Sequence, residues 1–106
     1  MNILFDQGTP VPLRHFLAHH QVATAYERGW SRLENGELLQ AAETAGFQVF
    51  VSTDASLKYQ QNVQGRRIAI VVLLSASWPK IQRHARAIAS LVDSAKPGDY
   101  YEAPIE

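Results

Sequence analysis

The chain has 106 residues, with ten Lys+Arg against ten Asp+Glu, four His, no Cys and 46% hydrophobic residues. That length holds one domain and supports a core without staples, and the lack of cysteine excludes disulfides, thiolate zinc sites and thiol catalysis. A zero net charge argues against a tail-driven polyanion binder, although a balanced total can hide a segregated patch.

In chain order, Ile3-Leu4-Phe5 is a short apolar run closed by Asp6, Gly8, Pro10 and Pro12. It reads as a buried strand. Both prolines suit the first turn of a helix, and Leu13, Phe16 and Leu17 fall at helical spacing, which predicts a helix from about Pro10 to Ala18. Gln21 to Ala25 alternates weakly and reads as a second short strand. Tyr26 to Leu33 is ambiguous, with Gly29 and Trp30 marking a break that seats an aromatic. Asn35 reads as the N-cap of the next helix, with Glu37 in its positive first turn and Gly46 as its left-handed stop. Phe47 to Val51 has strand composition and ends at Ser52-Thr53-Asp54. A short helical piece, Ala55 to Gln61, and a turn at Gly65 follow.

Ile68 to Leu74 is seven apolar residues in a row. A run without alternation suits a strand covered on both faces, as in a parallel sheet between helices. Ser77-Trp78-Pro79 opens a last helix with Ile81, Ala85, Ile88 and Val92 on one stripe, and Lys96-Pro97-Gly98 stops it. Asp99 to Glu106 shows no periodicity and reads as a loose or partner-seeking tail. The alternation of element types predicts an α/β fold: a three-layer sandwich with a mainly parallel four- to five-stranded sheet flanked by helices. The domain is expected over residues 1–96, with 97–106 as a C-terminal tail. No apolar run reaches the ~18 residues of a membrane span, and the opening residues lack a signal-peptide layout, so a cytoplasmic protein is expected.

In open α/β sheets, ligands gather outside the carboxyl ends of the strands. Asp6 follows the first strand, and Asp54 follows the Phe47–Val51 strand. Glu37 begins a helix that starts at the same edge. If the two strands are neighbours, three carboxylates share that edge, and their repulsion calls for a hard cation such as Mg²⁺ or Mn²⁺. The plainer reading is that each acid is a turn or cap residue. Lys58, Arg66 and Arg67 come after the Asp54 strand and are either phosphate contacts for RNA or ordinary solvated charges. Thr53 and Gln61 join them as candidate substrate contacts, within a polar set that includes Tyr59, Gln60 and Asn62. His15 and His19 share a helix face, yet no acid lies near them in sequence to complete a zinc site. His20 and His84 have no nucleophile partner in a recognisable motif. Trp30 and Trp78 read as core anchors.

The pieces Ile3-Leu4-Phe5-Asp6-Gln7-Gly8-Thr9-Pro10, Gly29-Trp30, Asn35-Gly36-Glu37-Leu38-Leu39, Ser52-Thr53-Asp54 and Tyr59-Gln60-Gln61-Asn62 occur in an order that resembles the short bacterial PIN-like proteins. These are small relatives of the PIN-domain nucleases. The resemblance spans about residues 1–75. It implies a Mg²⁺- or Mn²⁺-dependent ribonuclease, with Asp6, Glu37 and Asp54 as catalytic and metal-binding acids. It also implies an RNA substrate, the toxin role in a toxin–antitoxin pair with an antitoxin protein as partner, and a homodimer. Two departures stand against it: no acid falls between Asp54 and Asp93, and Asn35 stands where relatives often carry an acid. They motivate a second expectation, a non-catalytic PIN-like module that binds RNA or protein. A phosphoryl-accepting receiver domain needs an adjacent acidic pair and a strand-end lysine, and the chain has neither.

Overall fold

The computed structural model describes residues 1–60 and 66–105. Five strands form one sheet: β1 (Asn2–Phe5), β2 (Gln21–Thr24), β3 (Val49–Ser52), β4 (Ala69–Leu73) and β5 (Tyr100–Ala103). Their order is β2-β1-β3-β4-β5, and every neighbouring pair is parallel. Among the described residues, four α-helices, α1 (Asn35–Thr44), α2 (Leu57–Gln60), α3 (Trp78–Arg83) and α4 (Ala85–Asp93), accompany a 3₁₀ helix at Val11–Leu17. The α/β class with a parallel sheet between helices is therefore the observed one.

Strand alternation assigns the two cores. Ile3, Phe5, Val49, Val51, Ala69, Val71 and Leu73 face one side, against Leu13 and Leu17 of the 3₁₀ helix and Ile81, Ala85, Ile88 and Val92 of α3 and α4. Leu4, Phe50, Ile70 and Val72 face the other side, against Leu38, Leu39 and Ala42 of α1 and Leu57 of α2. Both faces of β1, β3 and β4 are buried, which is why their sequences are apolar without alternation.

Several local expectations change. The predicted tail is a strand: Tyr100–Ala103 pairs with Ile70–Leu73, and Ile105 is buried. Its Tyr-Tyr-Glu-Ala sequence hides this, because an edge strand is only half covered and keeps polar residues. Within the segment expected as a tail, residues 100–103 thus belong to the sheet, Ile105 lies in the core and Tyr101 packs against it. The helix after Pro10 is 3₁₀ throughout. The N-cap of α1 is Glu34, so Asn35 is the first helical residue. Glu34 and Glu37 form a reciprocal capping box, which outcompetes the Asn35 cap. The last helix is two, α3 and α4, joined at His84, whose φ of −109° departs from helical values. Gly46 stops α1 with φ +87°, in the left-handed region where a Cβ is penalised. The predicted turn at Gly65 lies outside the described residues.

Candidate metal centre at the strand ends

The order β2-β1-β3 means that the chain leaves β1 to one side for β2 and later returns to the other side as β3. The carboxyl ends of β1 and β3 therefore flank a topological switch point, the place where doubly wound sheets hold ligands. Asp6 and Asp54 stand there. The Asp6 amide donates to the Val51 carbonyl at 3.0 Å, which fixes the end of β1 against β3.

Asp6 is buried. The Thr9 hydroxyl donates to its Oδ1 at 2.7 Å and the Ser52 hydroxyl to its Oδ2 at 2.5 Å. The Asp54 amide donates to that same Ser52 oxygen at 3.0 Å, so one hydroxyl links the two aspartates. Asp54 Oδ1 accepts from the Ser56 amide at 2.9 Å and the Ser56 hydroxyl at 2.6 Å, while Asn35 Nδ2 donates to Oδ2 at 2.9 Å. The Ser56 hydroxyl, followed by the Ser56 amide and Asn35, holds the Asp54 carboxyl below its usual range despite partial burial. Both aspartates are held by neutral donors, and among the described residues no lysine, arginine or histidine forms an ion pair with either. A cavity of about 140 Å³ opens beside Asp6, between Trp30, Leu33, Asn35 and Leu38.

Glu37 is placed differently. It starts the same helix as Asn35, but its Oε1 accepts from the Glu34 amide at 3.4 Å as part of the capping box. Among the described residues, no group that gathers three potential metal ligands contains Asp6, Glu37 or Asp54. Asp6 and Asp54 are thus the acids at this edge whose carboxylates are held by neutral donors, while Glu37 bonds at its own helix end.

The predicted substrate contacts separate. Thr53 lies against Gly8; a Cβ on that glycine would meet Thr53 Oγ1 at 2.7 Å, so the small residue permits the approach. Lys58 is at the carboxyl edge but pairs with Glu102 of β5 at 3.0 Å. Arg66 and Arg67 are not beside the aspartates. They precede β4 and so lie at the amino edge of the sheet, where Glu43 near the end of α1 takes Arg66 Nη1 at 2.7 Å and the Arg67 amide at 3.1 Å. A parallel strand separates the residues before it from the residues after it by its own length, roughly 3.3 Å per residue. Gln61 and Asn62 lie outside the described residues.

Glu102 is the residue that sequence reasoning overlooked. It accepts from the Tyr100 hydroxyl at 3.0 Å, and burial, then this bond, pushes that phenol up to about 12. The only signal was its place in an apparent tail; recognising β5 would have put Glu102 at the same edge as Asp54. No helix among the described residues is long and apolar enough to cross a membrane. Comparison with protein-family models, curated proteins and solved structures found no match to this chain.

Proposed function

We propose that the chain is a PIN-like ribonuclease that hydrolyses RNA phosphodiester bonds with a Mg²⁺ or Mn²⁺ ion held by Asp6 and Asp54. The observation that carries this reading is the pair of aspartates at the β1/β3 switch point, joined through Ser52 and opposed by no cationic side chain among the described residues. A hard divalent ion is a suitable partner for carboxylate oxygens gathered at this edge. When bound, such an ion acidifies a water and stabilises charge on phosphate oxygens.

The chain's own residues have distinct parts in this reading. Thr9 and Ser52 orient Asp6, while Asn35 and Ser56 orient Asp54 and keep it ionised. Trp30 and Leu33 offer apolar wall beside Asp6 against which a base or ribose can rest. Lys58 belongs to a pair with Glu102, so RNA phosphates would have to compete for it. From the resemblance we carry forward the toxin role with an antitoxin protein partner, and a homodimer, as parts of the same proposal.

The test is purified protein with Mn²⁺ or Mg²⁺ and single-stranded RNA, alongside Asp6→Asn. The expected result is cleavage that the substitution abolishes; cleavage untouched by it removes the assigned site. A second reading, a PIN-like module that binds RNA or protein without cleaving, is favoured by the capping role of Glu37 and by the hydroxyl donors that occupy both oxygens of Asp6. Calorimetry with Mn²⁺ separates the two, because absence of binding at millimolar concentration supports the non-catalytic module.

A further inference from the structure

At the opposite, amino edge of the sheet, a second cluster combines imidazoles with a carboxylate. His19 and His20 lie between the 3₁₀ helix and β2, and Asp93 is the last residue of α4. Asp93 Oδ1 lies 2.9 Å from His19 Nε2 and 2.6 Å from His20 Nε2. One ligand atom from each residue falls within 4.8 Å of the others. We propose that His19, His20 and Asp93 bind a divalent transition metal of the zinc class.

The donor set fits that class. Imidazole nitrogen and carboxylate oxygen suit Zn²⁺ and its neighbours, whereas Mg²⁺ prefers oxygen alone, so this site and the strand-end aspartates would take different ions. Three protein ligands leave a fourth position for water or an incoming group.

The cluster is also built before any ion arrives. The His20 side chain is only 8% exposed and its amide donates to the Leu17 carbonyl at 2.9 Å. Its Nε2 is the atom turned to Asp93. The two rings lie against each other with centroids 4.0 Å apart. Asp93 is anchored by its buried neighbour Val92, a member of the core on that side of the sheet. Its position carries a second argument. A carboxylate at the carboxyl end of a helix meets the negative end of the helix dipole, an unfavourable place unless a positive charge compensates it. One metal ion would meet that need. Bound metal would also tie the turn before β2 to the end of α4, elements far apart in sequence.

The experiment titrates zinc chloride into tag-free, metal-stripped protein by calorimetry, with His19→Ala, Asp93→Asn and Asp6→Asn alongside. His19 is 60% exposed, so its truncation leaves the core intact. The expected result is one saturable zinc site per chain, weakened at least about tenfold by His19→Ala and by Asp93→Asn. Asp6→Asn should leave it unchanged, which keeps this outcome separate from that of the ribonuclease reading. A zinc-dependent rise in melting temperature, lost in Asp93→Asn, should accompany binding. No saturable binding at millimolar zinc, or binding that survives both His19→Ala and Asp93→Asn, overturns the proposal.

Discussion

Gly8 and Thr53 show how closely the loops after β1 and β3 approach at the strand-end site. An alanine at position 8 would place its Cβ 2.7 Å from Thr53 Oγ1, inside any normal contact distance. We expect Gly8→Ala to destabilise the fold by about 1 kcal/mol, the lower end of overpacking costs. Thr53→Ala in the same chain should recover most of it, and a double-mutant cycle by thermal or urea unfolding measures the coupling. On the other side of β1, Arg14 donates to both oxygens of Glu27, at 2.7 and 3.2 Å, and to the Val22 carbonyl at 3.0 Å. The Arg14 bonds, ahead of the Thr24 amide, lower the Glu27 carboxyl to about 2. A depressed folded value means that the contribution is full above the ordinary Glu range and is lost as pH falls through about 2. The melting-temperature gap between wild type and Arg14→Gln should therefore persist at pH 5 and close as pH approaches 2; a gap already closed at pH 4 would contradict the pairing.

Among the elements, what could be read from sequence depended on how much of each was buried. Ile3-Leu4-Phe5 and the run from Ile68 to Leu74 were legible because both faces of β1 and β4 are covered. The stripe Ile81, Ala85, Ile88 and Val92 was legible for the same reason, although the break at His84 left no mark on it. β5 was not legible, since it stands last in the strand order and Tyr-Tyr-Glu-Ala lacks a pattern. Asp6 and Asp54 could be placed from the ends of their strands alone. Arg66 and Arg67 were legible in principle: residues just before a parallel strand must stand at the edge opposite to those just after one. The Asp93 pairing with His19 and His20 was not, because 74 and 73 residues separate them and only the return of α4 to the amino edge joins them. If β5 completes the sheet, a chain ending after Gly98 should lose cooperative unfolding, as it bares the edge of β4 along Ile70–Leu73. Cooperative melting near the full-length temperature would instead return the segment to the status of a tail.

The whole molecule reconciles its zero net charge with two separated charged edges. At the carboxyl edge stand Asp6 and Asp54 with neutral donors, and Glu102 with Lys58. At the amino edge stand Arg66 with Glu43, and the two histidines with Asp93. The basic residues first associated with the aspartates are thus either paired or on the far side of the sheet. At the switch point stands the aspartate pair, with a small cavity of mixed lining beside Asp6, and the proposed RNA chemistry belongs there. The sharpest measurement is the rate of single-stranded RNA cleavage at saturating Mg²⁺ for wild type and Asp54→Asn, with retained folding checked by thermal melting. A drop of at least about 100-fold, the scale of losing one stabiliser of transition-state charge, is the predicted result. Equal rates in the two proteins would contradict the claim that this pair of aspartates runs the reaction.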